Sequence, residues 1–295
     1  MKKLGSLILM VFSLLLILVQ CRQEKRTEEG EFQARQFLEI YTDSFLHFYT
    51  SYKNAEWRSA INYDPKDTVI LGELERAKNA FAGFTGSAYH IKTAQKLLKE
   101  KSFLSDSERR QLKRILYFAG NNPWNVKEIV RQRINKEIFQ NQLLLGFEYS
   151  MNQNPVTLGE IDEALVELTD PEERLKWWEV SKKPGPLLSG TMMQLRNMRN
   201  GSVKGMDYKN YFQYKVTEYG MSESEMMTLL EQLISKIWPL YREIHTWARY
   251  ELAEKYGAEE VPDMIPAHWL PDRWGKDWSA ILEPGEKEKD FVEMV

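Results

Sequence analysis

The side chains able to do chemistry converge on one stretch near the end of the sequence, Ile265–Trp278, which reads IPAHWLPDRWGKDW. It holds three of the nine tryptophans, one of the four histidines and four charged residues, Asp272, Arg273, Lys276 and Asp277. Indole faces beside fixed polar groups suit a surface that binds a ligand. A rigid corner packing its tryptophans into a core is the other reading of the same residues. Elsewhere reactive chemistry is sparse. A metal-dependent hydrolase centre of the form His-Glu-x-x-His needs two histidines one helical turn apart and a glutamate to take the proton of a metal-bound water. The histidines are His47, His90, His245 and His268, and no two are so spaced. There is no Gly-x-Ser-x-Gly elbow and no glycine-rich phosphate loop. Cys21 is the only cysteine, so no intramolecular disulfide can form and the fold stands on packing.

The elements that must position this stretch read as helices. Pro266 and Pro271 lack an N–H donor and exclude a continuous helix through it, which predicts a loop or a short broken helix. Before it, a long helix is expected over about Glu223–Tyr256, with Met226, Leu230, Leu233, Ile237, Tyr241, Ile244, Ala248 and Leu252 as its buried stripe, a kink at Pro239 and a stop at Gly257. Phe37, Tyr41, Phe45, Phe48 and Tyr52 recur at helical steps and read as core. Two helical stretches follow over Leu71–Glu100, with Gly83 and Gly86 as the break, and His90 reads as structural. Capping boxes stand at Ser105–Glu108 and Thr157–Glu160, and Asp170-Pro171 opens a further helix carrying Trp177 and Trp178. A helix is expected over about Val126–Ser150, with Lys127, Arg131, Arg133 and Lys136 mostly on a solvated face. Another, with an apolar face of Met192, Met193, Leu195 and Met198, should end at Asn200-Gly201. No segment shows strand alternation with hairpin turns, so the fold class expected is all-α, in one domain over residues 31–295.

The N-terminus stands apart. Lys2 and Lys3 precede an apolar run, Leu7–Val19, that is shorter than the ~20 residues a bilayer span requires and fits the hydrophobic region of a secretory signal. Cys21 falls where a bacterial lipoprotein signal places its acylated cysteine, although Gln20 stands where a small residue is usual. An ordinary signal or an uncleaved anchor are the alternatives. Residues 1–21 thus read as a leader and 22–30, rich in Glu, Lys and Arg, as a flexible tether. Export across the inner membrane follows, to the periplasm or a lipid anchor on the envelope. With a formal net charge of −3 and 28% charged residues of mixed sign, nucleic acid is not implied as a partner.

Several segments together resemble the angiotensin-converting-enzyme family of zinc peptidyl-dipeptidases. Pro266, Ala267, His268, Leu270, Trp274 and Trp278 keep the spacing of the family pattern PAHLLGNMWAQTW without a gap. Ile244-His245, Arg249, Leu252 and Tyr256-Gly257 match a helix of the form LHAYVRRxLxxxYG. Arg174–Lys183 resembles LLWAWEGWR, Met206–Val216 is similar to the stretch that follows it, and Asn54–Asn62 is a weaker match. The resemblance runs from about Asp170 to Trp278.

The resemblance implies the N-terminal helical portion of a zincin-like peptidase fold, zinc as cofactor, a peptide as substrate and release of dipeptides from peptide C-termini. The zinc ligands are absent from this sequence, so no residue is assigned to metal or to catalysis, and the chain alone is expected to be inactive. Glu283-Pro284-Gly285 and the charged run to Asp290 read as mid-connection, so the domain is expected to be incomplete at its C-terminus. By position, Lys276 takes the place of the family glutamine that helps hold the substrate's terminal carboxylate. Asp277 and Asp272 match pocket-lining neutral residues, and two acids there would favour basic peptide ends. Ordinary surface ion pairing, worth ~0–1 kcal/mol, is the competing account of these three. His245 and His268 are expected to be buried and to donate to backbone carbonyls. A non-catalytic helical envelope lipoprotein binding peptides or a protein partner is the alternative function, and a sugar-binding module a weaker third. Oligomeric state is not legible.

Overall fold

The aromatic steps at Phe37, Tyr41, Phe45 and Phe48 do lie on one helix, α1 (Lys2–Ile61). A computed structural model describes residues 2–62, 64, 67–99, 104–276 and 278, with residues 2–27 described by backbone alone. The apolar run Leu7–Val19 and the Cys21 side chain therefore lie outside the described side chains, and the backbone of the leader and tether segments belongs to α1. Among the described residues no helix is long and apolar enough to cross a membrane. The described residues form α-helices and a single two-stranded hairpin, so the mainly helical class holds. They fall into two compact units, one of residues 1–138 and 194–222, the other of 139–193 and 223–295.

In the first unit, α1 packs on α2 (Thr68–Thr85), α3 (Ala88–Lys99) and α4 (Asp106–Gly120). One core cluster joins Ala34, Phe37, Leu38 and Tyr41 to Ala94, Leu97, Leu112 and Ile115. A second joins Ala55 to Leu74, Ala82 and, from α5 (Lys127–Leu145), Val130, Ile134 and Ile138. Of the two glycines expected to break α2 from α3, only Gly86 does. A Cβ on it would lie 1.5 Å from the Asn122 carbonyl oxygen, so only glycine permits that approach, whereas Gly83 stays inside α2. Asp67 caps α2 and the Ser105–Glu108 box opens α4. His90 is structural as expected, its Nδ1 2.8 Å from the Phe84 carbonyl oxygen. Arg133 overturns the solvated face: it is buried, with Glu137 at 3.1 Å and Asn122 Oδ1 at 2.9 Å. The late part of α8 (Gly185–Lys204) and α9 (Tyr211–Val216) complete this unit. Gly201 does not end α8; it lies inside it, its Cβ position in contact with Ile129, so it marks close packing rather than a stop.

The second unit holds a hairpin that the sequence did not announce. The helix expected to reach Ser150 stops at Leu145, and β1 (Tyr149–Met151) pairs antiparallel with β2 (Asn154–Val156), Tyr149 opposite Val156. Asn152 and Gln153 turn the chain with φ of 51° and 67°, the left-handed pair a two-residue hairpin needs, without the usual glycine. Helix α6 (Leu158–Glu167) starts at the Thr157 capping box and α7 (Pro171–Lys182) at Asp170, with Pro171 in the first turn. Their core joins Tyr149, Ile161, Leu165 and Val180, with both Trp177 and Trp178 packed against it. Met192 and Met193 are exposed rather than part of an apolar contact face. Helix α10 (Glu223–Lys255) is as long as expected, but its buried stripe is confined to the last third: Ala248 and Leu252 are buried, while Leu230, Leu233, Ile237 and Tyr241 are exposed.

Candidate substrate cleft

The stretch after α10 is broken as its prolines require. Ala267–Trp269 makes one 3-10 turn, and Trp269 and Leu270 are buried with Ala248, Leu252 and Ala253 of α10. What fastens it is a buried cation. Arg174 on α7, 2% exposed, donates from Nε to the His268 carbonyl at 2.8 Å, from one terminal nitrogen to Leu168 at 2.7 Å and from the other to Leu270 at 2.9 Å. Burial pushes its pKa down, and the guanidinium also lies 5.3 Å from the centre of the Tyr256 ring. Three aligned carbonyl dipoles are what offsets the cost of taking that charge out of water. Tyr256 adds a hydrogen bond to the Trp269 carbonyl, 3.1 Å.

Beyond Leu270 the chain turns on Asp272. Its carboxylate accepts from the Trp274 N–H at 2.7 Å and the Lys276 N–H at 2.9 Å, and Gly275 sits at φ 65°, the left-handed region that favours glycine. Arg273 reaches back to α6 and grips Asp162 with two bonds, 2.6 and 3.1 Å. Lys182, at the end of α7, donates to the Arg273 carbonyl and lies between the rings of Trp178 and Trp274, 4.8 and 5.0 Å from their centres. Burial, then the nearby Arg273 charge, lowers the Lys182 pKa. The loop is thus held by α6, by α7 and by its own aspartate.

These clamps leave an open cleft of about 650 Å³. One wall is a face of α6, Asp162, Glu163 and Val166; the other is Pro271, Asp272, Arg273, Trp274 and Lys276. Of the residues singled out in the sequence, Lys276 and Asp272 share this cleft. Asp277 lies outside the described residues. The α6 wall was missed. Its acids sit in a capped, otherwise ordinary amphipathic helix, and the Asp162–Arg273 pair that ties it to the loop spans 111 residues. Among the described residues neither His245 nor His268 pairs with a backbone carbonyl as expected, and both are half-buried. His245 lies among the rings of Tyr241 and Trp278, and His268 beside Arg174, where burial and then that charge lower its pKa.

Comparison with known proteins agrees with the motifs. The family model described as angiotensin-converting enzyme, Peptidase M2, matches residues 28–290. The chain belongs to this family. An angiotensin-converting enzyme-like protein, Ace3, of Mus musculus is 23% identical over 269 residues, which are 86% of this chain and 34% of the mouse protein. An angiotensin-converting enzyme of Haematobia irritans exigua is 28% identical over 127 residues, 42% of this chain and 20% of its own. The angiotensin-converting enzyme of Rattus norvegicus is 25% identical over 268 residues, 87% of this chain and 19% of the rat protein. The chain therefore spans about a third or less of the length of these relatives.

Zinc, which the family implies, can be tested against the donors in view. Among the described residues no group of three or more His, Cys, Asp or Glu is placed to hold a metal ion. His90 Nδ1 is taken up by the Phe84 carbonyl, and His268 stands next to the Arg174 cation, where a second positive charge would be repelled. The described residues do not fit a zinc centre, which needs at least three converging protein ligands.

Proposed function

We propose that this chain is the part of an exported zinc peptidyl-dipeptidase that receives the C-terminal end of a peptide substrate, with Lys276 as the donor to the terminal carboxylate. The observation that carries the reading is the cleft itself. Lys276 matches the family's carboxylate-holding position and lines an open groove whose loop is fixed at four points. A peptidase that cuts two residues from the end must measure from that end, and a fixed cation sets the register. Asp272 enters through the turn that places Lys276, and Asp277 only as the residue that follows Lys276 in sequence. Export and a lipid anchor at Cys21 are supported by the Lys2-Lys3 start, the apolar run and the position of the cysteine.

Binding of one short peptide with a free and with an amidated C-terminus tests the reading. An exposed ion pair is worth up to ~1 kcal/mol, about fivefold in affinity. Lys276→Ala should weaken the free acid by about that factor and leave the amide unchanged; equal loss for both would make the residue structural. For the anchor, Cys21→Ser should abolish acyl labelling and cleavage at that site. Unchanged processing would rule the lipoprotein reading out.

A further inference from the structure

The charged groups lining the cleft are not equivalent. Asp162 is spent on Arg273 through two bonds, and Arg273 on Asp162. Asp272 holds the backbone N–H groups of Trp274 and Lys276. Two charged side chains in the cleft, the Glu163 carboxylate and the Lys276 ammonium, make no hydrogen bond or ion pair among the described residues. They stand on opposite walls, Glu163 on α6 and Lys276 on the loop, with Val166 beside Glu163 and the 68% exposed Trp274 beside Lys276. Glu163 and Val166 are three residues apart and share one face of the helix, turned away from the buried Ile161 and Leu165.

A groove with one uncommitted cation, one uncommitted anion and apolar surface beside each is complementary to a ligand that carries both charges on a carbon frame. We infer that Glu163 is a specificity-determining residue that selects peptides ending in a basic residue. The terminal carboxylate meets Lys276, the lysine or arginine head meets Glu163, and its methylene stem lies along Val166 and Trp274. This rests on the carboxylate reading of Lys276, and adds to it which peptide end is preferred and through which residue.

The test uses the full chain and three probes: acetyl-Ala-Ala-Lys and acetyl-Ala-Ala-Ala as free acids, and acetyl-Ala-Ala-Lys amide. Binding is followed by the shift of the Trp274 indole N–H resonance at millimolar peptide. The lysine acid should bind about two- to fivefold tighter than the alanine acid, the range of an exposed ion pair. Glu163→Gln should erase that preference and leave the alanine acid unchanged. If the preference survives Glu163→Gln while acid and amide still differ, the role of Glu163 is overturned and the carboxylate reading stands. If acid and amide bind alike, the carboxylate reading fails and this inference falls with it. No shift with any probe overturns both.

Discussion

At the scale of single residues, Arg174 does the most. Its three bonds go to carbonyls and none to a carboxylate, so it differs from the exposed ion pairs that decorate the helices. Arg174→Met keeps the stem and removes the donors, leaving carbonyls at Leu168, His268 and Leu270 without partners. Each buried unsatisfied group costs about 1–3 kcal/mol, so a loss of about 3 kcal/mol or more is expected. Seven of the nine tryptophans lie in the unit that contains Arg174, so urea unfolding followed by tryptophan fluorescence reports on it directly. A shift of the midpoint by less than the equivalent of about 1 kcal/mol would show that water replaces the guanidinium without cost. The sequence placed Arg174 within a family motif but gave no sign of its role, because two of its three partners are backbone atoms 94 and 96 residues away.

At the scale of elements, caps and breaks were legible where the signal is local. Ser105, Thr157 and Asp170 each cap the helix they precede, since a hydroxyl or carboxylate satisfies its helix's own free N–H groups. Ser105→Ala should cost about 1 kcal/mol in thermal or urea unfolding. Glycines were less legible, because the same residue ends one helix and packs inside another. Gly86 and Gly201 are told apart only by what faces them, the Asn122 carbonyl in one case and Ile129 in the other. Gly86→Ala therefore drives a methyl group into backbone and should destabilise by about 1–3 kcal/mol or more, whereas Gly83→Ala, with open space at its Cβ, should be neutral or stabilising. Paired measurements of the two variants check this, and equal effects would contradict it. The hairpin escaped notice because three-residue strands are too short for alternation to register. The cleft was half legible: its loop by motif, its α6 wall not at all.

At the scale of the whole chain, the two units differ in how their surfaces are made. In the first, Glu218 accepts from Lys215 at 2.7 Å and from Tyr117 at 2.5 Å, with Arg114 at 3.3 Å, and joins α4 to the end of α9. The hydrogen bonds from Lys215 and then Tyr117 lower its pKa from the ordinary 4.5 to about 2. A depressed carboxylate stabilises the fold fully above 4.5, and the contribution shrinks as pH falls and is lost near 2. Glu218→Gln should therefore flatten the dependence of the unfolding midpoint on pH across that window and change it little in shape above. An unaltered slope would mean that the unfolded chain keeps the same pairing. In the second unit, the first two-thirds of α10 present Met227, Leu230, Ile234, Ile237 and Trp238 to the outside, Ile234 being 60% exposed. An apolar strip of this kind binds hydrophobic dyes. Replacing Ile234 and Ile237 together by lysine should lower anilinonaphthalene sulfonate fluorescence without altering the helical circular dichroism. An unchanged dye signal would place the binding elsewhere.

The span bridged by Arg174 also sets an order of events during synthesis. Helices α6 and α7 leave the ribosome roughly a hundred residues before the His268 and Leu270 carbonyls exist, and the Asp162–Arg273 pair has the same long reach. Until then Arg174 and the α6 acids are solvated groups on a half-made unit. Closing so distant a contact is slow relative to forming a helix. Among the elements described, the groove is therefore among the last features to form. A nascent chain halted before Leu270 should expose α7 to protease, and one released past Lys276 should not.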